Sequence, residues 1–381
     1  MALMRLFAAC VAVLLAIAGY TSAQAQSQDT PATAAFIVDL SSGAILLDKN
    51  GDRPMPPASM SKLMTLNMVF EALERGLISM DDKFRTSSRA AAMGGSKMFI
   101  RDGELVSIRD LVRGVIVQSG NDSAVALAEA LSGTEEAFAD LMTQRAQELG
   151  MTRSTFVNST GWPADGHVMS PRDLATLATR LIVDFPEHYT MFAETEFTWD
   201  NIEQANRNPL LGLGVGADGL KTGHTEESGY GLVASAKRGQ RRVVLVITGL
   251  ESKAERRHEA ERLINWAFRA FETRRLFTAG EELVEAPVWI GETPTVMLAP
   301  ARDVTVTAPF GTLDSAEVKV HFEGPVPAPI AEGQQIGRIE VLVPDVDPIS
   351  IPLLAAHDVG EGSFITRVKA AGTLLLSELI P

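Results

Sequence analysis

The chain is poor in the residue types on which redox and metal chemistry depend. Cysteine occurs once, as Cys10, inside a stretch that reads as a removable leader. A mature chain would therefore carry no thiol, which excludes disulfides, thiolate metal sites and a cysteine nucleophile. The six histidines (His167, His188, His224, His258, His321 and His357) are scattered. The nearest approach to a zinc motif, His258-Glu259-Ala260-Glu261-Arg262, ends in arginine where a second histidine is required. No metal and no cofactor are expected. Runs rich in lysine and arginine are also missing, and the formal net charge is −14, so no nucleic-acid partner is expected. There is no internal repeat and no low-complexity tract.

What is present is an ordinary soluble composition, 46% hydrophobic and 22% charged over 381 residues, which is long enough for two domains. Residues 1–25 stand apart. Met1 to Arg5 is a short basic start, Leu6 to Gly19 is apolar, and Ala23-Gln24-Ala25 is a small-x-small cleavage site, together a secretory signal cut before Gln26. Phe7-Ala8-Ala9-Cys10 does not read as a lipoprotein site, because most of the apolar run follows the cysteine.

From Thr33 to Leu47 two β-type runs flank Ser41-Ser42-Gly43 as a hairpin, and an almost wholly apolar helix is predicted from Ser59 to Leu73. Ile108 to Gly150 reads as a helical subdomain with breaks at Ser119-Gly120-Asn121 and Ser132-Gly133, where Glu135 stands in capping-box position to Ser132. Strands are predicted at 218–222, 230–236 and 242–248, with a turn at Arg238-Gly239-Gln240, and an amphipathic helix over 255–271. Together these make one α/β unit over 26–275. Proline-punctuated β runs then give a small all-β domain over 276–363. The final stretch, 364–381, places Phe364, Ile365, Val368, Ala371 and Leu375 on one helical face. It is too short and too charged to span a bilayer, so it either lies in a membrane interface or docks on its own β domain.

An exported enzyme without thiols or metal ligands needs an oxygen nucleophile with a base beside it. Ser59-Met60-Ser61-Lys62 puts a hydroxyl and an amine on one face of the apolar helix. Burial disfavours the ammonium, so Lys62 can act as base, and the free N–H groups of a helix N-terminus can stabilise an oxyanion beside Ser59. About one or two Ser-x-x-Lys tetrads are expected by chance in such a chain, but this one lies on the most apolar helix. Ser119-Gly120-Asn121 joins two helices, either as a helix N-cap or with its hydroxyl and carboxamide projecting into a cleft. Lys221-Thr222-Gly223 reads as a strand edge with which an extended peptide could pair, the glycine allowing close backbone approach.

The three elements in this order are the signature of penicillin-binding proteins and class A β-lactamases, with Ser-Gly-Asn in the second position. With the strings Pro57 to Thr65, Gln118 to Asp122, Asn206-Arg207-Asn208 and Asp218 to Thr225, the chain from about residue 31 to its end resembles the low-molecular-mass serine-type D-alanyl-D-alanine carboxypeptidases. The resemblance implies a β-lactamase/transpeptidase-like catalytic domain, an antiparallel sheet flanked by helices plus a helical subdomain, followed by the β-rich domain. It implies Ser59 as acylated nucleophile, Lys62 as its base, and Ser119 and Asn121 as proton relay and amide-orienting group. Lys221, Thr222 and Gly223 would flank the substrate, and the N–H groups of Ser59 and His224 would form the oxyanion hole. Whether the His224 imidazole takes part, or only its backbone, stays open. Arg256 would lie near the substrate's terminal carboxylate, where Lys221 and Arg256 could supply a positive field in an otherwise acidic protein.

The implied partners are the peptidoglycan stem peptide and β-lactam antibiotics as covalent inhibitors. The implied place is the periplasm, with peripheral contact to the inner membrane through the tail. DD-endopeptidase and β-lactamase activity could use the same residues. Between Ser119 and Lys221, however, there is no Glu-x-x-x-Asn segment to supply the glutamate base of a class A β-lactamase, so slow release of penicillin is expected. A non-catalytic wall-binding protein would have lost members of this constellation, and all are present.

Overall fold

The computed structural model describes residues 28–364 and Val368. The expected leader with Cys10, and nearly all of the 364–381 tail, lie outside the described residues. The first apolar runs pair as β1 (Ala34–Asp39) and β2 (Ile45–Lys49), an antiparallel hairpin. After α1 (Lys62–Glu74) come β3 (Lys83–Arg85), α2 (Ser88–Ala92) and β4 (Leu105–Ser107), with β3 and β4 paired.

The helical section holds α3 (Ile108–Ile116), α4 (Asn121–Ser132), α5 (Glu135–Glu148), α6 (Pro171–Val183) and the single turn α7 (Pro186–Tyr189). The capping box expected from Ser132 and Glu135 does not form. Ser132 stays in the last turn of α4, Thr134 caps α5 by accepting the Ala137 N–H, and the Glu135 carboxylate turns instead to Ser159 and Arg89.

A small hairpin, β5 (Glu196–Trp199) and β6 (Ile202–Ala205), leads to β7 (Ala217–Thr225), β8 (Gly229–Arg238), β9 (Arg241–Leu250) and α8 (Lys253–Ala270). The antiparallel sheet runs β2-β1-β9-β8-β7, which leaves β7 at an edge. Both faces are covered. Phe36, Val244 and Val246 pack into the core that α1 shares with the helical section, while Ile37, Leu245 and Ile247 meet Leu263 and Ile264 of α8. A strand buried on both faces reads as an unbroken apolar run.

The β-rich section starts at Phe271, ahead of the change in sequence texture at residue 276. Helix α8 stops at Ala270 because the next residues pair as β10 (Phe271–Phe277) with a later strand. Then come β11 (Val284–Trp289), β12 (Thr295–Pro300), β13 (Val304–Pro309), which is the partner of β10, β14 (Glu317–Phe322), β15 (Val326–Pro327), β16 (Gln335–Val343) and β17 (Val346–Ala355). A six-stranded sheet ordered β14-β16-β17-β12-β11-β15 forms over its own core, which includes Leu298, Val306, Ile339 and Leu353. Polar contacts tie this section to the first: Ser42 Oγ donates to Thr307 Oγ1 at 2.7 Å, and Arg241 bridges Asp39 and the Phe271 carbonyl.

Candidate active site

Ser59 lies on a 3-10 turn, Ala58–Ser61, that feeds directly into α1, so the expected helix opens as a tighter turn behind Pro56-Pro57. Ala58 takes φ +48, a left-handed conformation that costs an alanine about 1–2 kcal/mol. Gly161 packs against it so closely that an added Cβ would stand 1.9 Å from the Ala58 carbonyl oxygen.

Behind Ser59, Lys62 is wholly buried. Its Nζ lies 3.0 Å from Ser59 Oγ, 2.7 Å from Asn121 Oδ1 and 2.5 Å from the Thr160 carbonyl. Burial, with the nearby Arg207 charge second, brings its pKa down from 10.5 to about 7. A neutral amine has two N–H groups and one lone pair. The two oxygens of Asn121 and Thr160 take the N–H groups, and the lone pair is left for the Ser59 hydroxyl. The Thr160 carbonyl is itself fixed, because Asn158 Oδ1 accepts the N–H groups of Thr160, Gly161 and Trp162.

Ser119 and Asn121 stand at the α3–α4 junction, Ser119 at φ +60. The Asn121 carboxamide bridges Lys62 and the Gly94 carbonyl, the latter at 2.8 Å. Next to it, buried Asp122 accepts the backbone N–H groups of Met98, Phe99 and Ile100 and clamps that loop to α4. A Cβ on Gly120 would come within 2.8 Å of both Asp122 Oδ1 and Ser123 Oγ, which is a physical reason for Ser-Gly-Asn here.

Lys221 donates to Ser119 Oγ at 2.7 Å. It is 2% exposed, and burial holds its pKa well below the usual lysine value, reinforced by the charges of Lys62, Arg207 and Arg256. Lys221 thus sits beneath Ser119, not open to the cleft as a carboxylate anchor.

Edge strand β7 carries Thr222, Gly223 and His224 along the other wall. A Cβ on Gly223 would meet the Pro57 carbonyl at 2.9 Å and Met60 Cγ at 3.0 Å, so only glycine lets the strand lie on the nucleophile turn. The His224 imidazole is exposed and stacked on Tyr230, with ring centroids 3.9 Å apart. Arg256 reaches in from α8, largely buried, its guanidinium 5.7 Å over the Tyr230 ring and its pKa lowered by burial to about 10.

The cleft of about 520 Å³ brings together Ser59, Ser119, Thr222, Gly223, His224 and Arg256. It adds Arg207 and Lys253, which the motifs do not single out. Arg207 donates to Ser96 Oγ on the opposite lip. It comes from a loop without periodicity, and only the string Asn206-Arg207-Asn208 hinted at it. The Thr160 carbonyl was equally unreadable, since a backbone acceptor carries no residue signature.

Comparison with known proteins agrees with this geometry. The sequence profile described as D-alanyl-D-alanine carboxypeptidase matches residues 21–252, and that of the penicillin-binding protein 5 C-terminal domain matches residues 271–361. The D-alanyl-D-alanine carboxypeptidase DacC of Escherichia coli is 37% identical over 377 residues, 96% of this chain and 94% of its own. Penicillin binding protein 5 of Haemophilus influenzae superposes with a TM-score of 0.83 at 36% identity, covering 87% of this chain and all of its own. An ampicillin-bound penicillin-binding protein of Listeria monocytogenes covers 62% of this chain and 97% of its own, at 33% identity and a TM-score of 0.58.

Proposed function

The chain belongs to the serine-type D-alanyl-D-alanine carboxypeptidase family, and we propose that it removes the terminal D-alanine of the peptidoglycan stem peptide through an acyl-enzyme on Ser59. The observation that carries this reading is the buried Lys62 amine, which lies 3.0 Å from Ser59 Oγ and whose pKa burial brings down to about 7, so that it can lose its proton and act as base.

Lys62 takes the Ser59 proton as Oγ attacks the penultimate carbonyl. The N–H groups of Ser59 and His224 receive the oxyanion. Asn121 orients the substrate amide. As the C–N bond breaks, the proton that Lys62 took passes through Ser119 to the leaving amine, while Lys221 holds Ser119 Oγ by a hydrogen bond. A water then enters where the amine left, gives a proton to Lys62 as it attacks the ester, and Lys62 returns that proton to Ser59 Oγ as the ester breaks. Thr222 and Gly223 align the peptide along β7, and Arg256, with Arg207 and Lys253, faces the terminal carboxylate in a cleft that no carboxylate lines.

Penicillins acylate the same hydroxyl in this reading, as the ampicillin-bound Listeria relative suggests. Without a lining carboxylate to activate water, the adduct is released slowly, which disfavours a β-lactamase. After incubation with benzylpenicillin, peptide mapping should find a lasting adduct on Ser59. Rapid turnover of the drug, or an adduct that persists in Ser59→Ala, would contradict the reading.

We also read the protein as an exported, periplasmic enzyme. Residues 1–25 are its signal, and its catalytic domain runs from 26 to the end of α8 at 270, five residues short of the expected 275. The β-rich domain to 363 is a stalk, and 364–381 is a peripheral anchor on the outer face of the inner membrane. The basic-apolar-small leader pattern and the apolar face of the tail support this. Phe364 and Val368, on that face, are exposed, and no helix among the described residues is long and apolar enough to cross a membrane.

A further inference from the structure

Glu135 is a buried carboxylate that the chemistry above leaves unused. It opens α5, is 5% exposed, and does not line the cleft. Its two oxygens have different partners. Oε1 accepts both the Ser159 N–H at 3.0 Å and the Ser159 hydroxyl at 2.7 Å, whereas Oε2 accepts from Arg89 at 2.8 Å. Arg89 is partly exposed and divides itself between Glu135 and Glu136.

Ser159 is fully buried, and the Thr65 hydroxyl of α1 donates to its carbonyl at 2.7 Å. With its N–H, hydroxyl and carbonyl all taken, Ser159 has no polar group left over and is pinned between α1 and α5. The next carbonyl in the chain is that of Thr160, the acceptor for Lys62. Asn158 ties that loop to its own backbone, and Glu135 ties it to α5.

The same carboxylate acts on Lys62 through its charge. Burial and then the Arg207 charge bring the Lys62 pKa down to about 7, and the charges of Asp122 and Glu135 oppose that fall. The other groups facing the amine are Lys221 on β7 and the neutral His167 before α6. On α1 itself, Glu71 is occupied by Arg145 and Arg180. All of these stay in place when Glu135 alone is replaced.

We propose that Glu135 is a positioning residue for acylation: by clamping Ser159 it fixes the Thr160 carbonyl on Lys62, and its charge sets the lower pH limit of the reaction. The inference rests on Lys62 as the base for Ser59 and adds a residue, remote from the cleft, that governs it.

The test is stopped-flow acylation of the full chain by a chromogenic cephalosporin, followed across the acid limb and the plateau. Rates are taken per serine that prolonged exposure to benzylpenicillin labels, so that unfolded protein is not counted. Glu135→Gln keeps an oxygen for Ser159 and removes the charge, while Arg89 retains Glu136. Its acid midpoint should fall by about half a pH unit, which well below the midpoint makes acylation about threefold faster relative to the variant's own plateau. Glu135→Ala removes the oxygen too, so its plateau should lie about tenfold below that of Glu135→Gln. A purely structural role would lower rates without moving the midpoint. A midpoint in Glu135→Gln equal to or above that of the unaltered protein would overturn the role of the charge, and equal plateaus in the two variants would overturn the clamp. An unaltered protein that acylates without an acid limb, or not at all, would instead overturn Lys62 as the base.

Discussion

At the scale of single residues, Lys62 has to be buried to be useful. In water its amine would be protonated and could not serve as a base. Enclosed between α1, Asn121 and the Thr160 carbonyl, it gives up its proton near pH 7. Acylation should therefore fall about tenfold per unit as the pH drops below about 7, with a plateau above, which stopped-flow acylation by a chromogenic cephalosporin would measure. The same shift bears on stability. The folded pKa lies below the unfolded value of 10.5, so between pH 7 and 10.5 the unfolded chain binds the extra proton and stability rises with pH through that window. Lys62→Arg, whose guanidinium stays charged, should lose acylation by at least about a hundredfold. The Ser-x-x-Lys, Ser-Gly-Asn and Lys-Thr-Gly groups were legible in the sequence because each is contiguous and chemically distinct. Arg207 and the Thr160 carbonyl were not, because one rides an aperiodic loop and the other is backbone.

At the scale of elements, the site is a meeting of four pieces: the turn before α1, the α3–α4 junction, the Asn158–Trp162 loop and the β7 edge. Apolar patterning and turn residues reveal three of them. The Asn158 loop shows no period, yet it delivers an acceptor to Lys62 and, through Gly161, confines Ala58. Helix α4 contributes through Asp122, whose buried carboxylate collects three backbone N–H groups and fixes the loop whose Gly94 carbonyl holds the Asn121 carboxamide. Asp122→Asn would turn an amide donor toward those N–H groups. It should destabilise the protein by about 1–3 kcal/mol and slow acylation, seen as a lower melting temperature together with a lower acylation rate. The failed capping box at Ser132 has a related lesson: the Ser-x-x-Glu spacing was present, but Ser159 and Arg89 offered Glu135 tertiary partners.

At the scale of the whole molecule, the five-stranded sheet presents β7 as an open edge beside the nucleophile turn, while the β-rich section attaches at the β1–β2 hairpin, Asp39 bonding Thr273 and Ser42 bonding Thr307. Strand order and the start of that section at Phe271 could not be read from patterning, since both depend on pairing across long sequence separations. The leader and the tail are read from composition alone and lie outside the described residues. Deleting residues 364–381 should move the protein from the membrane fraction to the soluble fraction without changing D-alanine release from a soluble peptide; unchanged membrane recovery would contradict the anchor. The most direct test of the central claim is release of D-alanine from a pentapeptide ending in D-Ala-D-Ala, by the mature protein and by Ser59→Ala. Release by the parent that vanishes in the variant is the predicted result, whereas no release by the parent, or equal release by both, would contradict the assignment of the reaction to Ser59.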